Sequence, residues 1–347
     1  MIKVALQIGQ DLTDERLKLA KQFGVDEIVG QPPLDLYEGF MYGSSTPKVS
    51  QVIRPEVWSF DNLLKMRTRI EDAGLKISII DSATPIDLVK LGLPGRDKQI
   101  ENFCTSIRNM GAAGFRRITY NFTPIGTTRT SMTTRTRGNA RVTSFDMDLM
   151  KNAPLTEHGV ISQEKMFDNW KYFVERVIPV CEEADVRMAV HPDDPPVPIL
   201  KGIGRPFTSF EGFKRITEVV DSEYNGISFC MGCWAEMGED VPAMIRYFGK
   251  RKKINFVHFR DIKGVATKFS EVFHDDGQSD LIANIQALKD VGYDGPMRPD
   301  HQARSAGYAT LPPNSGYRLM GKFYAIGYMK GIIEAVYGKQ PGTSLMM

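Results

Sequence analysis

The stretch RMAVHPDDPP, Arg187 to Pro196, decides the fold. An apolar run stops at His191 and then turns through two acids and three prolines. A buried parallel strand that ends in a ligand-type residue followed by proline delivers that side chain to the mouth of a barrel. Three later runs end in the same way: GISFC at Cys230, INFVHF around His258, and PMRPDH at Asp300 and His301. The chain has five histidines, and three of them sit at such ends beside one of its four cysteines and an acid. His191, Cys230, His258 and Asp300 therefore read as a metal site assembled by four successive strands.

Outward from that stretch, apolar runs of strand length alternate with amphipathic segments. Strands are expected at 2–8, 25–30, 76–82, 116–122, about 187–191, 226–230, 254–259 and 296–300. Helices are expected from about Thr13, carrying Leu17, Leu19, Ala20 and Phe23, and over 60–73, with Leu63, Leu64, Met66 and Ile70 inside. Further helices are expected at 98–112, 164–183, 209–220, 240–249, 280–290 and 316–336. Eight β/α pairs predict a (β/α)8 TIM barrel rather than a doubly wound sheet. Gly24, Gly74 and Gly292 each follow a helix and precede a strand, where a left-handed turn is needed. The long loops, 31–59 after the second strand and 123–163 after the fourth, belong on the catalytic face. No composition break divides the chain, so residues 1–347 are expected to form one domain, with an irregular tail from about 338.

Composition limits the function classes. At 347 residues, 42% hydrophobic and 25% charged, with a net charge of +2, the chain has the make-up of a soluble globular protein and no signature of nucleic-acid binding. The N-terminus MIKVALQIGQDLTDE has neither a signal-peptide core nor a cleavage site, and no membrane span follows, so a cytoplasmic location is expected. Four cysteines do not make a disulfide framework, and a reducing compartment suits a thiolate ligand.

The mixed N, S and O donors of the proposed site suit zinc, iron(II) or manganese and argue against magnesium or calcium. Cys230 and Cys233 also spell C-x-x-C, but a redox pair of that kind opens a helix after the first strand of a smaller fold, so Cys233 reads as packing or as support for the ligand. Asp193 and Asp194 read best as acceptors that orient an imidazole N–H. His301 cannot share a strand face with Asp300 and so is an acid/base candidate directed at substrate. Tyr317, in NSGYRLMG, is a phenolic acid candidate that the residues alone would class as structural. Ile125 to Phe145 holds Arg129, Arg135, Arg137 and Arg141 and no acid. It reads first as a solvated basic loop and second as a lid over an anionic substrate. Arg260 and Arg298 lie two residues from His258 and Asp300, should share their face, and would suit a carboxylate.

HPDDPP at 191–196, the Cys230 strand end, HFR at 258–260, RPDH at 298–301 and Gly316–Tyr317 resemble the motif series of the mannonate dehydratase family. EVWS (56–59), IEDAGL (70–75), YNF-x-P (120–124) and TRT (128–130) extend the resemblance over about 54 to 337. It implies a barrel of the xylose-isomerase-like group that uses Mn²⁺ or Fe²⁺ to convert D-mannonate to 2-keto-3-deoxy-D-gluconate and water in hexuronate catabolism. It also implies that His191, Cys230, His258 and Asp300 hold the metal and that His301 and Tyr317 are the acid/base pair. Asn121, Arg129, Arg260 and Arg298 are then the candidate contacts to a small anionic sugar acid, and a homo-oligomer is in keeping with the family. The N-terminal third departs from the pattern. Gln31-Pro32-Pro33 and an insertion to Arg54 replace a His-Ile-Pro type segment, Asp81-Ser82 replaces the usual Glu-Ser, and the loop after TRT is rich in Thr and Arg. Altered substrate loops point to a divergent dehydratase or to action on another aldonate. A sugar isomerase or epimerase of the same barrel group, or an inactive barrel used for binding, are the alternatives.

Overall fold

The computed structural model describes residues 1–8, 12–31, 55–304 and 320–338. Eight parallel strands form a closed barrel: Lys3–Gln7, Glu27–Gly30, Lys76–Asp81, Arg117–Tyr120, Arg187–Val190, Asn225–Cys230, Ile254–Phe259 and Pro296–Pro299. Each pairs with its neighbour in the chain, and the first closes on the last through Lys3 opposite Pro296 and Val4 opposite Met297. The eight expected strands and eight expected helices are thus present, with ends shifted by a few residues. The last helix is described as Met320–Tyr337, because Tyr317 and its neighbours lie outside the described residues.

The helices start where their sequences supply a cap. Thr13, Ser59, Ser162, Ser209, Asp240 and Asp280 each accept a backbone N–H from the first turn of the helix that follows. Such a cap satisfies one of the N–H groups that a helix start leaves without a partner. After the helices, Gly24, Gly74 and Gly292 have φ of +67°, +72° and +71°, the left-handed conformation expected there.

Two apolar layers hold the barrel. Inside it, Ala5, Val29, Ile79, Ala189 and Phe256 pack together, the two alanines leaving room for the Phe256 ring. Outside, the other parity of each strand meets the helices. Phe173, on the helix Gln163–Ala184, is fully buried, with ring centroids 5.1, 5.7 and 5.8 Å from Phe103, Tyr120 and Phe122. Two apolar helix residues stay exposed, and the first of them was expected inside. Leu64 is 41% exposed, one position off the buried stripe of Leu63, Met66 and Ile70. Phe23, also 41% exposed, caps its helix and stacks on Phe323 at 4.1 Å.

The largest departure concerns the loop read as solvated. Ser131–Arg135 and Arg141–Asp146 form a hairpin, and Ile262–Val265 and Lys268–Glu271 form another. The two join into one four-stranded antiparallel sheet through the pairing of Phe269 with Phe145. Its apolar face, with Phe145 and Phe269 at 6.0 Å, is buried against the barrel mouth. The outer strand SMTTR is polar on both faces and Met132 is 53% exposed, so it carries no alternation to read.

Phe173→Ala should destabilise the fold by about 3–5 kcal/mol, because it removes the ring that three other aromatics contact. Urea denaturation followed by tryptophan fluorescence would measure it, and a loss below about 1 kcal/mol would contradict this packing.

Candidate metal centre and active site

Register brings the expected ligands together. Cys230 pairs with His258, and His258 pairs with Arg298, so three side chains stand abreast on the inner face at the C-terminal end of the barrel. His191 follows the end of the fifth strand, and Asp300 follows the end of the eighth, two residues beyond Arg298 on the same face. One donor atom from each of His191, Cys230, His258 and Asp300 lies within 4.8 Å of the other three.

The donor atoms also point the right way. His191 Nδ1 lies 2.7 Å from the carbonyl of Pro192, which can only accept, so Nδ1 carries a proton and Nε2 is the nitrogen that could give a lone pair to a metal in exchange for its own proton. That Nε2 lies 3.1 Å from Nδ1 of His258, which in turn lies 3.3 Å from Oδ2 of Asp300. A cation with bonds of about 2.1 Å holds its ligand atoms roughly 3.0–3.4 Å apart, so the spacing fits a first-row divalent ion. The other oxygen of Asp300 accepts from Arg298 at 2.8 Å, which fixes the carboxylate and leaves Oδ2 for the centre. Among the described residues His258 Nε2 is buried without a hydrogen-bond partner, and the nearest carboxylate, that of Asp81, lies 3.9 Å away, too far for a hydrogen bond.

Electrostatics favour positive charge at this point. Burial would raise the Cys230 thiol, but contacts from Cys233, His191 and His258 and the charge of Arg260 hold it well below its ordinary value. Burial would likewise raise Asp300, but His301, Arg298 and His258 keep it well down. Burial pushes His191 down, yet the thiolate of Cys230 and the carboxylate of Asp300 outweigh that and lift it to about 9. The donors fit a borderline divalent cation held by one thiolate, one carboxylate and two imidazoles.

Beside the centre lies a buried ion-pair network. Arg129 makes a two-pronged contact with Asp194, at 2.6 and 2.8 Å, and a contact of 2.7 Å with Glu271. Arg260, fully buried, donates to Glu271 at 2.6 and 3.1 Å, to Glu236, and to Sγ of Cys233 at 3.1 Å. Burial drives the Glu236 carboxyl well up against the pull of Arg260, while Arg260, with Arg129 at Asp194 and His301 at Glu271, holds those two carboxylates below the usual range. Asp194, Glu271 and His301 also cluster within 4.8 Å, but their negative charge is already met by these arginines, which makes them a poor cation site.

His301 hangs from this network. Its Nδ1 lies 2.7 Å from Glu271 Oε1, its backbone φ is +45°, and its side chain is 28% exposed. Burial lowers its proton affinity, but Asp300 and Glu271 more than restore it. A cavity of about 680 Å³ opens here, lined by Arg129, Glu271, Arg298, Asp300, His301 and Lys322 among others.

Several expected residues fall elsewhere than sequence placed them. Arg260 does not face the cavity, because its guanidinium is consumed by Glu236, Glu271 and the thiols. Arg129 is not solvated; its side chain is 5% exposed and saturated with carboxylates. Arg298 lines the cavity but is held by Asp81 and Asp300. Asp193 and Asp194 do not orient an imidazole N–H: the first meets Arg205 and the backbone N–H of Phe207, the second meets Arg129. Asn121 is exposed just past the fourth strand, and Tyr317 lies outside the described residues. Sequence reasoning missed Glu271 and Glu236, which sit in segments without strand-end signals. Asp81 ends a strand with an acid, so the rule that found Asp300 would have found it.

The fold and the strand-end cluster define a (β/α)8 barrel with a candidate N/S/O metal centre at its C-terminal mouth. Comparison with known proteins narrows this. The family model for D-mannonate dehydratase (UxuA) matches residues 13–158 and 154–341. Mannonate dehydratase of Thermotoga maritima is 37% identical over 317 residues, which span 81% of this chain and 87% of that protein. The Streptococcus pneumoniae protein of the same name is 35% identical over 82% of this chain and 86% of its own. The crystal structure of mannonate dehydratase from Streptococcus suis serotype 2 matches with a TM-score of 0.84 and 31% identity, covering 98% of this chain and 97% of that one. A xylose isomerase domain protein from Alicyclobacillus acidocaldarius shares the fold alone, at a TM-score of 0.62 and 11% identity over 97% of this chain and 100% of that one. The chain belongs to the D-mannonate dehydratase family.

Co²⁺ provides a spectroscopic test of the cluster. The purified chain loaded with Co²⁺ should show a thiolate-to-metal charge-transfer band in the near ultraviolet, and Cys230→Ser should abolish it while Cys233→Ser keeps it. Persistence of the band in Cys230→Ser would remove Cys230 from the ligand set.

Proposed function

We propose that this chain dehydrates D-mannonate to 2-keto-3-deoxy-D-gluconate and water, with Mn²⁺ or Fe²⁺ held by His191, Cys230, His258 and Asp300. Beyond family membership, the observation that carries the reading is the convergence of those four donors, one of which, Asp300, lines with His301 a cavity large enough for a six-carbon acid. The same reading assigns the chain to hexuronate catabolism in the cytoplasm. Its four buried free cysteines suit a reducing compartment, and no helix among the described residues is long and apolar enough to cross a membrane.

The chemistry requires two proton movements. The proton on C2 of an aldonate is weakly acidic, and the C3 hydroxyl leaves only as water. A bound divalent cation would supply charge stabilisation for the anion that develops as the C2 proton departs. His301 and Tyr317 divide the two transfers. Glu271 fixes the ring of His301 through Nδ1, and Arg129 and Arg260 hold Glu271 in turn, so the imidazole meets substrate in a set orientation without reorganisation cost. Arg298 keeps Asp300 and Asp81 in place. The second sheet contributes Glu271 and covers the mouth on the side of Arg129, which restricts water around the reacting carbons.

The test is anaerobic reconstitution with Mn²⁺ or Fe²⁺ followed by a 2-keto-3-deoxy acid assay over a panel of aldonates. D-mannonate should turn over best, and His301→Asn and Tyr317→Phe should each lower kcat by roughly 10²–10⁴-fold. An isomeric product without loss of water would replace the reading with isomerase or epimerase chemistry, and no product from any aldonate would reject it.

A further inference from the structure

The cavity contains more positive charge than the chemistry above uses. Among the described residues five cations line it: Arg129, Arg141, Arg298, Arg304 and Lys322. Arg129 is neutralised by Asp194 and Glu271, and Arg298 by Asp81 and Asp300, so neither has charge to spare for an incoming anion. Arg141 and Arg304 are exposed and bridge one another through their backbones. Lys322 differs from all four. It is half-buried on the helix Met320–Tyr337, and its Nζ donates to the backbone carbonyl of Gln7, a neutral acceptor. No carboxylate lies within ion-pair distance of it among the described residues. Among the described residues this is its one hydrogen bond, which engages one of the three ammonium donors.

Its position follows from packing. The helix that carries it runs against the eighth and first strands, and its first turn lies close to the segment after Asp300. Gly321 makes that approach possible, because a Cβ there would sit 2.8 Å from the carbonyl of Ala303 and 2.8 Å from the side chain of Gln302. The next residue is thereby set at the edge of the cavity, across from the candidate metal centre. Gln7 connects the two sides: its carbonyl holds Lys322, and its side-chain amide reaches Asp81 at 3.4 Å, the acid beside His258. Loss of water, with Arg298 adding to it, brings the ammonium down to about 8, although the carboxylates of Asp300 and Asp81 pull the other way.

We propose that Lys322 anchors the carboxylate of the substrate, as the inward-facing cavity cation with no carboxylate partner among the described residues. This rests on the aldonate reading above and deepens it. It transfers to Lys322 the carboxylate-binding role that sequence reasoning gave to Arg260 and Arg298. A flexible ammonium with free donors can meet one end of a sugar acid while the hydroxyls on C2 and C3 lie between the candidate metal centre and His301. Neutral sugars of the same length would forgo this contact, which makes Lys322 a determinant of specificity for acids.

The test uses the full-length chain reconstituted with Mn²⁺, as wild type, Lys322→Met and Lys322→Arg. Calorimetric titration with D-mannonate should show Kd raised about tenfold or more in Lys322→Met and less than about fivefold in Lys322→Arg. In turnover assays the methionine variant should show the same rise in KM, with kcat within about threefold of wild type. Unchanged affinity in Lys322→Met overturns the proposal. So does equal loss in both variants, or a fall in kcat at unchanged KM, since these are the signs of a disturbed fold or of a role other than anchoring. Failure of the dehydratase reading looks different: Kd depends on Lys322, and no 2-keto-3-deoxy acid forms. If the wild type binds no aldonate at all, the anchoring role falls too.

Discussion

The cross-strand register of three neighbouring barrel strands is the constraint on which the site depends. Cys230 opposite His258, and His258 opposite Arg298, place a thiol, an imidazole and a guanidinium side by side on one inner face. A slip of one residue in either pairing would turn the shifted side chains outward among the helices. The irregularity between Ile227 and Ser228 adjusts the sixth strand against the seventh just below this layer. Small residues inside the barrel, Ala5 and Ala189, take up the bulk of Phe256, whose ring stands edge-on to His258 at 5.0 Å. Packing in the layer below therefore helps to orient the ring of a candidate ligand.

A second constraint comes from burying charge. Arg129 and Arg260 with Asp194, Glu271 and Glu236 form an ion-pair set that is nearly cut off from water. Desolvating so many ions is costly, and such a set seldom adds net stability. Its value here is positional. It ties the fifth-strand turn, the short helix Met231–Glu236 and the second antiparallel sheet to one another, and it ends on His301. The carboxylate that reaches His301 thus comes from the excursion after the seventh strand, and the register of the second sheet sets the orientation of a proposed catalytic imidazole.

The barrel was legible because its signals are local. Apolar runs and left-handed glycines mark many of its boundaries, and the pattern of a ligand-type residue at a strand end needs no tertiary knowledge. The four donors could be proposed together for that reason. The ion-pair network was not legible, because its partners are distant in sequence: Arg129 and Glu271 are 142 residues apart. Charge in Ile125 to Phe145 therefore looked like a solvated loop when its acids lay elsewhere in the chain. Parity showed that Arg260 shares the face of His258, but parity cannot tell an open cavity from a site already filled by Glu236 and Glu271. Lys322 gave no signal at all, since it lies on a helix whose register against the mouth depends on the close approach at Gly321.

The account stands on a cation held by His191, Cys230, His258 and Asp300. Anomalous diffraction from crystals of the chain grown with Mn²⁺ tests it most directly. The account predicts one strong peak at the barrel mouth with those four donor atoms at about 2.0–2.5 Å. A peak centred among Asp194, Glu271 and His301 instead, or no peak among the four donors, would contradict it.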